Sequence, residues 1–176
     1  MKKNILAIVG SASQASSNLK LMEYINLQTA ANFNLTIYND LKTLPHFDAD
    51  LSLQNTPDSI LEFRELVKRA DGVIICTPEY VFSIPSGLKN IIEWCVSTTV
   101  FSNKPLGIIT ASAQGSKGHE ELQMILQTIE ARFNNKTCLL IQGIKGKISP
   151  VGEITDEITK IELTEFIEAF KSLVGI

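Results

Sequence analysis

The chain has 176 residues, of which 44% are hydrophobic and 20% are charged, a composition typical of a globular protein. Its length suits a single domain over residues 1–176 with a substantial buried core. Lysine and arginine total 16 against 19 acidic residues, so the formal net charge is −3. This balance argues against nucleic acid or an anionic membrane as a partner.

Cysteine content and N-terminal hydropathy predict a cytoplasmic protein. Cys76, Cys95 and Cys138 have no metal-type spacing, and an odd number of buried thiols fits a reducing compartment. A signal peptide is the alternative, because a basic start precedes an apolar run. That run ends at Gly10 and is shorter than the usual signal segment. No apolar segment of the sequence is long enough to span a membrane.

Short apolar runs alternate with stretches of helical spacing. Apolar runs bounded by turn residues are typical of strands buried on both faces. These strands are predicted at residues 5–9, 35–38, 73–76, 105–111 and 137–141. Helices are predicted at residues 18–33, 57–69, 85–97 and 119–133, and a last helix is predicted after a cap at Thr155.

This alternation predicts an α/β fold with a doubly wound parallel sheet, because right-handed crossovers place helices on both faces. The common five-strand order is 2-1-3-4-5, which is the flavodoxin-like arrangement and binds ligands between strands 1 and 3. In this chain, residues 10–18 would face residues 78–82 at that point. Residues 112–118 would form a third wall.

The loop at residues 10–18 is rich in serine and precedes a predicted helix. Because the first N–H groups of a helix lack partners, these hydroxyl groups and the helix N-terminus suit a phosphate. The loop lacks the glycine fingerprints of nucleoside triphosphatases and of dinucleotide-binding folds. The alternative is that Ser17 merely caps the helix.

A second distinctive loop lies between Pro78, which ends a strand, and Pro85, which opens a helix. It contains an acid and two aromatic residues. A flat aromatic ligand could stack on Tyr80 or Phe82 while backbone groups contact its polar edge.

Across residues 77–94 the chain reads Thr-Pro-Glu-Tyr-Val-Phe-Ser-Ile-Pro-Ser-Gly-Leu-Lys-Asn-Ile-Ile-Glu-Trp. This run resembles the NAD(P)H-dependent FMN reductases, a flavodoxin-like family that includes quinone, chromate and azo-dye reductases. The family pattern has Asn where this chain has Val81. The first loop resembles the family's Gly-Ser-x-Arg-x-x-Ser-x-Asn, with Ser13 in place of Arg.

The resemblance implies that FMN accepts hydride from NADPH or NADH and passes electrons to a small acceptor, such as a quinone, in a ping-pong cycle. It implies flavin contacts through the backbone N–H of Glu79 and the ring of Tyr80, with no catalytic side chain. The implied cofactor-binding residues are Ser11, Ser13, Ser16, Ser17, Asn18, Pro78, Glu79, Tyr80, Val81, Ser112 and Gly115. No metal site is predicted, since His46 and His119 lack a ligand-like pattern of acids.

Two other classes of function stay open. A flavodoxin-type electron carrier would not turn over nicotinamide, but its usual phosphate loop and strongly acidic surface are missing from this sequence. A flavin-binding interaction protein is the second alternative, in which Ser13 and Val81 reflect lost catalysis. The sequence leaves open the physiological acceptor and the choice between NADH and NADPH.

Family members are commonly dimers or tetramers, so the resemblance implies a homodimer or homotetramer with flavin near the interface. Trp94 lies outside the clearest part of the apolar stripe of its predicted helix, which suggests an exposed aromatic at that interface. Lys89 and Asn90 lie off the same stripe and would serve an interface or simply face solvent.

Overall fold

The computed structural model describes residues 1–13 and 15–176. Within them, parallel strands form one five-stranded sheet in the order β2-β1-β3-β4-β5, which confirms the predicted fold class and strand order. The strands are β1 (Lys3–Val9), β2 (Phe33–Tyr38), β3 (Gly72–Thr77), β4 (Leu106–Ser112) and β5 (Cys138–Gln142).

The helices of the described residues connect these strands or follow the last one. They are α1 (Ser17–Thr29), α2 (Ala49–Leu53), α3 (Asp58–Arg69), α4 (Ser86–Cys95), α5 (Ser116–Thr128) and α6 (Glu157–Leu173). The short helix α2 lies in the long connection between β2 and α3. Among the described residues, no helix has the length and apolarity needed to cross a bilayer.

Two apolar cores lie on opposite faces of the sheet. Helices α1 and α6 pack on one face, and α3, α4 and α5 pack on the other. Neighbouring strand residues alternate between the two cores. Ile74 lies in the core beneath α1 and α6, and Ile75 lies in the core beneath α3, α4 and α5. Because both faces are covered, the central strands are continuous apolar runs rather than alternating ones.

The predicted cap at Thr155 is wrong by one residue, and so is the cap at Ser17 that was the alternative to a phosphate site. Ser16, not Ser17, caps α1: its backbone is extended and its Oγ accepts a hydrogen bond from the N–H of Leu19. Asp156, not Thr155, caps α6 by accepting from the N–H of Thr159. An N-cap side chain must reach the N–H two or three residues ahead, and neighbouring serine or threonine residues do not reveal which one does so.

The boundaries of two helices also differ from the prediction. Helix α1 ends at Thr29, and Phe33, assigned to that helix from its apolar character, is the first residue of β2. Helix α5 begins at Ser116 rather than at His119, because Gly115 adopts the left-handed conformation that starts it.

Trp94 is fully buried, which corrects the prediction of an exposed aromatic. Its indole N–H donates to the carbonyl of Pro45 at 2.9 Å, and its ring meets Phe47 edge to face. The side chain of Asn90 donates to the same carbonyl and accepts from the N–H of Phe47. These hydrogen bonds hold the connection after β2 against α4. The connection therefore covers the side of the helix that the sequence predicted to be exposed.

Candidate functional site

A cavity of about 500 Å³ opens at the carboxyl ends of the strands. That volume falls within the range of ligand pockets, about 300–1,000 Å³. All predicted cofactor-binding residues except Val81 and Gly115 line it. These are Ser11, Ser13, Ser16, Ser17, Asn18, Pro78, Glu79, Tyr80 and Ser112.

The loop after β1 supplies the polar side of the cavity. Ser11 Oγ accepts from the N–H of Ser13 and lies 3.4 Å from the hydroxyl of Tyr80. The N–H groups of Ser17 and Asn18 belong to the first turn of α1, where N–H groups have no partner within the helix. Hydroxyls and the positive end of a helix dipole therefore face the same space.

Asn18 is buried, and its side chain is occupied by the protein itself. The amide donates to the carbonyl of Ala111 in β4, and its oxygen lies 3.3 Å from the thiol of Cys76 in β3. The Asn18 side chain thus ties the start of α1 to two neighbouring strands. Its contribution to a phosphate site would come from its backbone N–H.

A two-residue turn projects from the loop after β3. Tyr80 and Ser83 exchange backbone hydrogen bonds of 2.9 and 3.0 Å, and the two residues between them, Val81 and Phe82, both have positive φ. This geometry is that of a tight β-hairpin turn, which favours Asn and Gly. Val81 and Phe82 point into solvent, and Val81 does not reach the cavity wall.

Glu79 joins this loop to the third wall of the cavity. Its backbone N–H donates to Ser112 Oγ. The N–H that was predicted to contact the flavin therefore already has a hydrogen-bond partner within the protein. Its carboxylate accepts from the N–H groups of Gly115 and Gly118, at 3.3 and 2.8 Å. The negative carboxylate is stabilised by the N-terminal end of α5. Glu79 therefore positions the loops that surround the cavity.

Gly115 does not line the cavity but shapes the turn into α5. Its φ is +90°, and an added Cβ would lie 2.9 Å from Leu140 and 3.1 Å from Thr110. Both the conformation and the lack of space require glycine here. Gly115 thus holds the third loop in place from behind.

Several lining residues were not among the predicted cofactor-binding residues, although Ala15 and Ala113 belong to loops that were predicted to form walls of the site. They come from the ends of β4 and β5 and from the first loop: Ala15, Ala111, Ala113, Gly143, Ile144 and Lys145. The fold rule that ligands bind at the carboxyl ends of parallel strands could have indicated the loop after β5. Apart from Lys145 these residues are small or apolar, so their side-chain chemistry did not indicate that they line a ligand site.

A smaller cavity of about 230 Å³ adjoins the first and shares Ser11 and Tyr80 with it. Its other side includes Lys42 and His46. A larger hollow of about 650 Å³ lies elsewhere, between β5 and α6. Its wall carries several glutamates and reaches the first residues of β5, so it lies at the wrong end of the sheet and has the wrong charge for a phosphate.

Burial suppresses the ionisation of the three thiols and of one imidazole. Burial raises the pKa of Cys76, raises that of Cys95 to about 12, and raises that of Cys138 to about 11, so none of these thiols is a thiolate at neutral pH. Burial also lowers the pKa of His119, whose Nδ1 lies 2.8 Å from Thr110 Oγ1. The described residues hold no cluster of metal-ligating side chains.

The strand order defines a flavodoxin-like α/β protein, and the cavity at the switch between β1 and β3 is its candidate ligand site. The sequence model of the family described as NADPH-dependent FMN reductase matches residues 3–143, and the chain belongs to this family of oxidoreductases. Membership confirms the predicted enzyme class and the use of FMN and NAD(P)H.

Individual relatives agree with this assignment. The chain is 33% identical over 174 residues to the NADH:(hydroxy)cinnamate reductase subunit CrdA of Vibrio ruber, covering 95% of this chain and 85% of the relative. It is 30% identical over 176 residues to the quinone reductase of Escherichia coli, covering 96% and 94%. The solved structure of FerB, a flavoenzyme NAD(P)H:(acceptor) oxidoreductase from Paracoccus denitrificans, has a TM-score of 0.86 at 26% identity and covers 98% and 97%.

Proposed function

We propose that this protein transfers electrons from NADH or NADPH through FMN to a small acceptor of the quinone type. The observation that carries the proposal is the cavity itself, in which a phosphate-type loop and an aromatic loop face each other. A quinone is favoured as acceptor because the Escherichia coli relative, a quinone reductase, aligns over nearly its full length.

The donor set of the cavity fits FMN. The serine hydroxyls and the N-terminus of α1 suit the phosphate, and Lys145 adds a positive charge to the lining of the same cavity. We propose that Tyr80 stacks against the isoalloxazine and that the backbone at Pro78 and Ser112 borders its polar edge. Glu79 would hold these two loops at a constant separation through its hydrogen bonds to Ser112 and α5.

Bound FMN supplies the redox chemistry, and the protein supplies position and electrostatics. We propose that nicotinamide and acceptor occupy the same side of the cavity in turn, which gives a ping-pong cycle. Tyr80 is about two-fifths exposed, so the site is open enough to exchange these ligands. The three free cysteines fit the cytoplasm as the place of action.

Absorbance spectroscopy and steady-state kinetics test this function. The purified full chain, supplied with FMN, should show flavin bands that bleach when NADPH or NADH is added under nitrogen. Initial rates with a quinone should give parallel double-reciprocal lines. Failure to retain FMN, or bound flavin that neither nucleotide reduces, would contradict the enzyme assignment, and intersecting lines would contradict the ping-pong cycle.

A further inference from the structure

Lys145 brings the one cationic side chain among the described residues that line the main cavity. The acidic residue among the same lining residues is Glu79, whose carboxylate is already held by two backbone N–H groups. Lys145 forms no ion pair with a described residue. The cavity therefore contains one positive charge that the protein itself does not neutralise.

The backbone beneath Lys145 is anchored, although the side chain is exposed. Gly143 has a φ of +65° and donates its N–H to the carbonyl of Ala113, which joins the turn after β5 to the loop after β4. Ile144 is buried in the core. The short 3₁₀ turn Ile144–Gly146 thus begins at a fixed point and presents residue 145 at the cavity wall.

The same connection reaches the start of α1. A Cβ added to Gly152 would lie 3.8 Å from the Cβ of Lys20 in the second turn of that helix. Lys20 itself does not line the cavity. Ser13 does line it, and Ser13 stands where the family pattern has Arg. The loop after β1 therefore lacks its expected cation, while the loop after β5 supplies one.

We propose that Lys145 binds the 5′-phosphate of FMN and provides the charge that Arg provides at position 13 in the family pattern. This inference rests on the proposed function, since FMN must occupy the cavity. A lysine ammonium acts as a point charge rather than as a two-pronged donor. Its attraction to a phosphate dianion at a partly solvated site falls as salt screens it.

Flavin release from the loaded full chain tests the proposal. Diluted protein loaded with FMN or riboflavin would be followed by the fluorescence of free flavin, at low and high salt. Lys145→Gln should raise the dissociation constant of FMN about tenfold at low salt, which corresponds to about 1.4 kcal/mol. The increase should shrink at high salt, and the dissociation constant of riboflavin, which has no phosphate, should not change.

Lys147→Gln is the matched control, because Lys147 belongs to the same connection but lies 3.9 Å from Asp156. It changes net charge equally and should alter FMN binding less than twofold by the same screening argument. Equal effects of the two substitutions, or equal effects on FMN and riboflavin, would overturn the role of Lys145. Wild-type protein that binds neither flavin would instead count against the proposed function itself.

A rescue experiment makes the inference sharper. If Lys145 in the loop after β5 replaces the arginine of the family pattern in the loop after β1, Ser13→Arg should restore most of the FMN affinity lost in Lys145→Gln. In the wild-type background the same change should tighten FMN by no more than about tenfold, because solvent weakens a charged hydrogen bond at a partly exposed site. A double variant no better than Lys145→Gln would show that residues 13 and 145 do not serve one phosphate.

Discussion

Tyr80 lines both cavities, and its hydroxyl lies 3.4 Å from Ser11 Oγ in the loop after β1. Tyr80→Ala should weaken FMN and riboflavin equally by roughly 1–3 kcal/mol, the range of base–aromatic stacking. Tyr80→Phe is the matched control and should bind as the wild type does, because the 3.4 Å contact to Ser11 is long for a hydroxyl pair. Titration showing the same affinity for Tyr80→Ala would exclude stacking at this residue.

Because His119 is partly buried, we predict that the stability of the protein depends on pH. Burial lowers its pKa in the folded chain, whereas the unfolded chain keeps a value near 6.5. Below about pH 6.5 the unfolded state therefore binds a proton at His119 that the folded state does not bind. The free energy of unfolding falls as pH decreases through this window, and stability is highest above it.

The substitution His119→Asn should reduce this loss while leaving stability above pH 7 similar or slightly lower. Urea unfolding at pH 7.5 and 5.5 measures the difference for each protein. The drop between the two pH values should be smaller in the variant. An identical drop in both proteins would mean that other groups cause the acid sensitivity.

At the scale of elements, the hairpin turn after β3 carries backbone strain. Val81 has a φ of 51° although it is β-branched, and left-handed residues other than glycine cost of order 1–3 kcal/mol. The family pattern has Asn at this position, and Asn tolerates this conformation. Val81→Asn should therefore stabilise the protein by about 1 kcal/mol.

Val96→Asn is the control for this prediction, because Val96 is also exposed but has an ordinary helical φ of −61°. It should bring no gain in the free energy of unfolding measured in urea. If Val81→Asn is no more stable than Val96→Asn, the valine side chain does not strain the turn.

The start of α5 depends on an acid from another element. Replacing Glu79 by Gln removes a charge that accepts from two N–H groups and should cost about 1–2 kcal/mol of unfolding free energy. Glu120→Gln, one turn further into the same helix, removes an exposed pair with Lys117 and should cost little. Comparable losses in the two variants would argue against a positioning role for Glu79.

For the molecule as a whole, we still predict a homodimer or homotetramer, but on different grounds. Trp94 is buried and cannot form the interface. Val81 and Phe82 are instead 93% and 75% exposed, side by side at the rim of the site. An exposed apolar pair next to a ligand site is a natural subunit contact.

Light scattering at micromolar concentration should give a mass of at least twice the 19.4 kDa of one chain. Phe82→Asp should lower that mass, because it places a charge in the proposed contact, whereas Met124→Asp, on a helix residue that is also exposed, should not. A wild-type mass of 19.4 kDa would refute the assembly.

The sequence by itself determined the sheet and the place of the candidate site. Strand and helix signals depend on apolar spacing between near neighbours, and the rules of chain connection then allow few topologies for five alternating strands. The loops after β1, β3 and β4 meet because parallel strands end at one edge of the sheet. Residues such as Ser11 and Tyr80 could therefore be assigned to one cavity without coordinates.

Only the tertiary structure decided which polar atoms of these residues are available to a ligand and which already have a hydrogen-bond partner in the protein. Asn18 and Glu79 use their side chains to hold distant elements, and the connection after β2 buries Trp94. Lys145 reaches the cavity wall through a turn anchored on another loop. Such contacts join residues 30 to 93 positions apart, so their formation depends on packing across the whole fold rather than on local spacing.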